Sequence, residues 1–181
     1  MRKFTLALAM LTSASAFAAP TVTIDTTLGA FTVELNEEKA PVTVENFLRY
    51  VKDGSYKGAQ FHRVIPGFMA QGGGFDEKMT RLPSYAPIKN EASNGLPNNT
   101  ATIAMARTND PNSATRQFFI NLKDNNFLDA AQRPPGYAVF GKVTSGFDVI
   151  KAMATKPTVV KQGMRDVPKT PIVINSVTLE Q

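Results

Sequence analysis

Apolar residues in this chain recur at every second position in short runs, and each run is cut off by glycine, proline or asparagine. Val22 and Ile24 alternate with Thr21, Thr23 and Asp25, and after a turn at Gly29, Phe31, Val33 and Leu35 alternate with Thr32 and Glu34. A period of two belongs to a strand with one buried face, so the two runs predict a hairpin. Further strands are predicted over 60–65, 68–72, 100–106, 117–122, 137–143 and 172–179, with a loop rich in Gly, Pro and Asn between Gly73 and Asn99. Only two segments carry helical spacing. In the first, Pro41 and Thr43 open a turn, Val44, Phe47, Leu48 and Val51 fall on one face, and Gly54 closes it. In the second, over 147–153, Phe147, Ile150 and Met153 lie three apart. Many short strands, two helices and no regular β–α alternation predict a mainly β fold. The expected form is an antiparallel sheet closed into a barrel, whose open ends two helices could plug. Periodicity does not decide closure.

Composition narrows the chemistry. Of 181 residues, 43% are hydrophobic and 19% charged, which is globular and excludes a disordered or fibrous chain. Twelve Phe and seven Met supply a core without Trp, while twelve Gly and twelve Pro argue against a helical bundle. With no Cys there are no disulfides, thiolate nucleophiles, iron–sulfur clusters or Cys-based zinc sites, and a single His excludes a His-rich metal site. No metal and no cofactor are expected.

The first 18 residues have a different character. Arg2 and Lys3 precede an apolar stretch from Phe4 to Leu11, and small residues then end in Ala16-Phe17-Ala18. This is the pattern of a cleaved secretory signal peptide, too short in its apolar part for a membrane span. The expected organisation is therefore a signal peptide over 1–18 and a single domain over 19–181, exported and soluble, without a membrane anchor. Cleavage would remove two of the 20 Lys and Arg and none of the 15 Asp and Glu, so the net charge would fall from +5 to +3. No basic run gathers on one segment, and nucleic acid is not an expected partner.

Several motif-like strings fail. Gly136 to Lys142 mimics a P-loop, but Val143 stands where Ser or Thr must hold magnesium. Gly72-Gly73-Gly74 lacks dinucleotide spacing and reads as a mobile turn. Asn98-Asn99-Thr100 matches a glycosylation acceptor by pattern only.

Two segments carry more. Phe61-His62-Arg63-Val64-Ile65-Pro66-Gly67-Phe68-Met69-Ala70-Gln71-Gly72-Gly73 crowds a cation, an amide and large apolar groups into one hairpin. Ala104-Met105-Ala106-Arg107 is followed by Gln117-Phe118-Phe119-Ile120-Asn121. On that strand Phe118, Ile120 and Leu122 are assigned to the core face, and Gln117, Phe119 and Asn121 to a polar one. A Phe among polar neighbours calls for a covering loop or a ligand. His62 is expected to point to the face opposite Arg63 and to be structural.

Together, in order and with their spacing, these segments and Val139-Phe140-Gly141-Lys142-Val143 resemble the signature of the cyclophilins, the peptidyl-prolyl cis–trans isomerases. The resemblance runs from about Val22 to Leu179 and is strongest to the exported members of Gram-negative bacteria. It implies an eight-stranded antiparallel barrel capped by two α-helices, with the active groove on its outer surface and a periplasmic location. It also implies Arg63 as the catalytic arginine, Gln71 as the residue that holds substrate and orients it, and Phe68, Met69, Phe119 and Leu128 as walls of a proline pocket. Ala106, Arg107 and Gln117 match the rim that receives residues preceding proline. Three positions depart from common family residues. Phe127 stands in place of Trp, which implies weak cyclosporin binding; Tyr137 stands in place of a pocket His; and Arg107 stands in place of Asn.

The residue types suit the reaction. The barrier to rotation is about 18–20 kcal/mol, and X–Pro bonds relax uncatalysed in roughly 10–100 s. At the twisted midpoint conjugation is lost and the lone pair returns to the proline nitrogen. A donor aimed there stabilises the twisted state and little else, which is how differential binding accelerates a reaction. A guanidinium supplies such donors and stays protonated. The expected partners are proline-containing peptides and unfolded exported proteins, and a monomer is expected. A module that binds proline segments without turning them over remains the alternative. A carrier enclosing an apolar ligand does not, because Phe118, Ile120, Leu122 and Phe140 are bulky enough to fill a small barrel.

Overall fold

The computed structural model describes residues 19–180. The predicted signal peptide over 1–18 lies outside the described residues.

The chain opens with the expected hairpin, β1 (Thr21–Thr26) and β2 (Gly29–Leu35), paired from Thr21↔Glu34 to Thr26↔Gly29. Helix α1 (Pro41–Lys52) follows. Next come β3 (Ala59–Ile65), β4 (Met69–Asp76), β5 (Thr102–Met105), β6 (Phe118–Asn121) and β7 (Val139–Ser145). The chain continues through α2 (Phe147–Met153), β8 (Thr158–Lys161), β9 (Met164–Pro168) and β10 (Ile174–Leu179). Eight strands form one sheet in the order β10-β1-β2-β7-β5-β6-β4-β3, antiparallel at every pairing. Its two end strands meet. Gln60 bridges Val173, the Phe61 N–H donates to the Ile172 carbonyl at 2.9 Å, and the Gly58 N–H to that of Ile174 at 2.9 Å. The sheet is thus nearly closed into the predicted barrel, its two end strands joined by these few bonds.

Inward-facing residues fill it. Ile24, Phe31, Phe61, Ile103, Phe118, Ile120 and Phe140 are all buried in one cluster. Phe61 meets Phe31 and Phe118 edge-on at centroid distances of 6.4 and 5.9 Å. A small barrel packed with aromatic rings has no room for an enclosed ligand. Helix α1 closes one end by driving Phe47 against Tyr56, Phe118 and Phe140, with ring centroids 5.3–5.7 Å apart. Its termination is local and legible: Gly54 takes φ +71, its N–H donates to Val51 O, and the Ser55 N–H donates to Tyr50 O. That is a Schellman motif, which a residue with a Cβ would strain. Its start is not local. Glu91, far along the chain, accepts from the Val42 N–H at 3.1 Å and from the Thr43 N–H and hydroxyl at 2.8 and 2.6 Å. An acceptor there satisfies otherwise unpaired donors and favours the positive end of the helix dipole. The second helix, predicted over 147–153, occupies those residues and buries Ile150 and Met153.

Two expectations are corrected. The hairpin β8–β9 was absent from the predicted elements. It lies outside the barrel, and Val159 and Val160 are exposed, so its sequence carries no alternation to detect. The glycine run at 72–74 is no mobile turn, because β4 continues through it to Asp76 and all three residues are buried. A Cβ at Gly72 would press on the Phe61 ring at 3.1 Å. At Gly73 (φ +87) it would lie 3.0 Å from the Arg116 carbonyl and the Tyr56 ring, and at Gly74 it would overlap the Gln117 side chain. Close approach of neighbouring groups, rather than flexibility, accounts for the glycines.

Candidate active site

Strands β3 and β4 carry the groove, and one irregularity aims it. Between the pairs Phe61↔Gly72 and Arg63↔Gln71, β3 advances two residues while β4 advances one. His62 is therefore the extra residue of a β-bulge. Phe61 and Val64 on either side both reach the core, which leaves His62 and Arg63 together on the outside. Strict alternation placed His62 on the face opposite Arg63; the bulge breaks that alternation, and both residues line one groove of about 670 Å³.

Arg63 is exposed in this groove, across the ladder from Gln71. Gln71 Nε2 donates to Gln117 Oε1 at 3.0 Å, which ties β4 to the residue that leads into β6. Beside them, Met69, Ala104, Phe119 and Val139 form a second apolar cluster, with Phe68, Ala106, Leu128 and Tyr137 packed against it. It stands apart from the barrel interior. Phe119 is buried there, its ring edge-on to Tyr137 at 5.8 Å, so the Phe on the outer face of β6 is covered and still lines the groove. Phe127 sits at the edge, half exposed, stacked on Phe68 at 5.7 Å. Arg107 is tied down: its Nε donates to Gly136 O at 2.9 Å, Nη1 to Thr108 O at 2.8 Å, and its guanidinium lies 4.3 Å from the Tyr137 centroid. The site residues read from the sequence are thus brought together, with Phe127 at the margin.

Asn121 is a correction. It was assigned to the outer polar face, yet it is fully buried, donating to Thr102 Oγ1 at 2.9 Å and Asn98 Oδ1 at 3.2 Å and accepting from Asn125 Nδ2 at 2.8 Å. Asn125 in turn donates to the Phe68 carbonyl, and Asn98 to Asp129 and Tyr137. This amide network holds the backbone around Phe68, Leu128 and Tyr137. Asn98 is wholly buried, so the glycosylation-like triplet has no accessible acceptor.

Sequence reasoning also missed Arg116, which is 3% exposed and donates to the carbonyls of Gly73, Pro83 and Ser55. Its own carbonyl accepts from the Tyr56 hydroxyl at 2.8 Å. Burial pulls its pKa down and drives that of Tyr56 well up. One cation thereby joins the end of α1, β4 and the start of β6 directly behind Gln117. Nothing in the local sequence distinguishes it from a surface arginine. Burial also lowers the His62 pKa to about 4, and the charges of Arg63 and Arg81 push the same way. His62 is neutral near pH 7, and its Nδ1 has no hydrogen-bond partner among the described residues.

A packed barrel thus bears a surface groove in which an exposed arginine lies beside an apolar notch. Among the described residues no group of three or more His, Cys, Asp or Glu could hold a metal ion. Residues 21–179 match the family model for "Cyclophilin type peptidyl-prolyl cis-trans isomerase/CLD". A peptidyl-prolyl cis-trans isomerase of Acinetobacter baylyi is 52% identical over 171 residues, covering 94% of this chain and 91% of the relative. The peptidyl-prolyl cis-trans isomerase B of Escherichia coli is 48% identical over 167 residues, covering 88% and 99%. In structure, the chain is similar to a cyclophilin-type isomerase of Cryptosporidium parvum, with a TM-score of 0.75, 25% identity, and coverage of 90% and 98%. The chain belongs to the cyclophilin-type peptidyl-prolyl cis-trans isomerase family, and its activity is rotation about X–Pro peptide bonds.

Proposed function

We propose that Arg63 is the catalytic group of this isomerase, and that Phe68, Met69, Phe119 and Leu128 clasp the proline ring while the acyl side turns. The observation that carries this assignment is the shared groove. Arg63, the exposed arginine of β3, lines the same groove as Met69 and Phe119 of the apolar cluster. Its donors would meet the proline nitrogen as it becomes pyramidal, and exclusion of water by the apolar walls would strengthen that contact. Shortening relaxation from tens of seconds to milliseconds is about a 10⁴-fold gain, roughly 5.5 kcal/mol. A charged hydrogen bond in a dry site together with orientation is of that size. Gln71, held by Gln117, is assigned to orient substrate, with Ala106, Arg107 and Gln117 forming the rim for the residues before proline. Tyr137 buttresses Phe119.

The finer setting belongs to the same proposal: a periplasmic monomer, released from its signal peptide, that speeds folding of exported proteins. It rests on the basic, apolar and A-x-A pattern of residues 1–18. No described helix is long and apolar enough to cross a membrane. Weak cyclosporin binding is proposed from Phe127, whose ring lacks the N–H donor of Trp.

The relaxation of a cis X–Pro peptide tests the assignment. Wild-type protein should accelerate it strongly, and Arg63→Ala should lose about 10²–10³-fold in kcat/KM with a much smaller loss of peptide affinity. An Arg63→Ala protein as fast as wild type would overturn the role of Arg63.

A further inference from the structure

Beyond the residues assigned above, the groove extends past Arg63 along a wall made of Phe75, Arg81, Met164, Arg165 and Asp166. Two separate elements build that wall. Arg81 follows β4, bridges Phe75, and holds its guanidinium 5.2 Å from the Phe75 ring, which itself packs edge-on to His62 at 4.7 Å. Arg165 and Asp166 come from the external hairpin. Between Val159↔Val167 and Lys161↔Met164, β9 advances three residues while β8 advances two. Asp166 takes φ +62 at this bulge, a conformation uncommon for a residue with a Cβ. Irregular backbone here, as at His62, turns side chains toward the groove.

The charge of this wall is one-sided. Across the chain, 20 basic residues face 15 acidic ones, but the groove is lined by four arginines and a single carboxylate. No lysine lines it. Arg107 is committed to backbone carbonyls and to Tyr137, whereas Arg81 and Arg165 are exposed. A planar guanidinium fork matches a carboxylate in two parallel hydrogen bonds, which an ammonium cannot. The positive field is also felt by a neighbour, since Arg63 and Arg81 both disfavour protonation of His62.

We infer that Arg81 and Arg165 form a specificity end of the groove that selects X–Pro segments carrying a carboxylate side chain near the proline, with Asp166 limiting how strongly they do so. This rests on the groove being the isomerase site. The pair needs no contact with the reacting bond, because it acts on the flanking residues of the client chain.

The test compares proline peptides that differ only in Glu against Gln, placed in turn at each of two positions on either side of proline. Wild type should show about a five-fold higher kcat/KM for the Glu peptide at one or more positions, the scale of two exposed charge pairs, and the ratio should shrink at high salt. Arg81→Gln with Arg165→Gln should bring the ratio close to one. Arg81→Glu with Arg165→Glu should invert it, and Asp166→Asn should raise it. Equal wild-type values for Glu and Gln at every position, or a ratio untouched in the Gln variant, would overturn the inference while leaving the isomerase site intact. Absence of catalysis on all of these peptides would overturn both.

Discussion

The guanidinium of Arg107 lies over the ring of Tyr137, 4.3 Å from its centroid, and Tyr137 in turn meets Phe119 edge-on at 5.8 Å. Arg107 and Tyr137 thus form one contact, a cation against an aromatic face, resting on the groove wall. Such pairs are worth about 0.5–1 kcal/mol when partly exposed. Arg107→Asn and Tyr137→His should therefore not be additive. A double-mutant cycle on kcat/KM is expected to give a coupling of that size, and strict additivity would show that the stacking carries no energy.

Gly74 leaves the space in which Gln117 lies. An alanine there displaces the Gln117 side chain and breaks its bond to Gln71, at little cost to the core because Gln117 is partly exposed and belongs to neither apolar cluster. Gly74→Ala should lower kcat/KM several-fold, about the effect of losing one neutral hydrogen bond, with a nearly unchanged Tm. In a Gln117→Ala background the same substitution should cost almost nothing further.

Arg116→Met should be severe. The change leaves the carbonyls of Gly73, in a buried setting, and of Pro83 and Ser55, in partly buried ones, without their donor. Leaving a buried carbonyl without its hydrogen bond costs about 1–3 kcal/mol. Urea unfolding should report a loss of that order, whereas a change below about 1 kcal/mol would mean that water replaces the guanidinium.

The low His62 pKa has a definite sign. The unfolded chain binds a proton near pH 6.5 and the folded one only near 4, so the unfolded state holds more protons between these values. Stability is complete above about pH 6.5 and declines as pH falls toward 4, by up to about 3 kcal/mol. Chemical denaturation from pH 7 to 4 should show this decline in wild type and a flatter profile in His62→Gln. Matching slopes in the two proteins would place the acid sensitivity elsewhere.

Local patterns made much of the molecule legible. Alternation at Val22–Ile24 and Phe31–Leu35 located the first hairpin, and the 3.6-residue spacing of Val44, Phe47, Leu48 and Val51 located α1, because each signal reports one face meeting one core. The two segments around Arg63 and Phe119 were legible as a family signature, through residue identity and spacing and not through alternation, since Arg63 stands beside a bulge and Phe68, Arg107, Leu128 and Tyr137 lie outside the strands. Tertiary structure decided what depends on distant partners. The bulge that swings His62 beside Arg63 exists only in the register of β3 against β4. Arg116 is a staple and not a surface cation because Gly73, Pro83 and Ser55 converge on it, and Glu91 caps a helix far away in the chain. The hairpin β8–β9 that brings Arg165 to the groove packs outside the barrel, and although Val167 and Pro168 are buried, β8 is almost wholly exposed and a bulge interrupts the pairing, so no alternation marks it. Burial and pairing across long loops are properties of the folded contact set, and a sequence window contains only one of the partners.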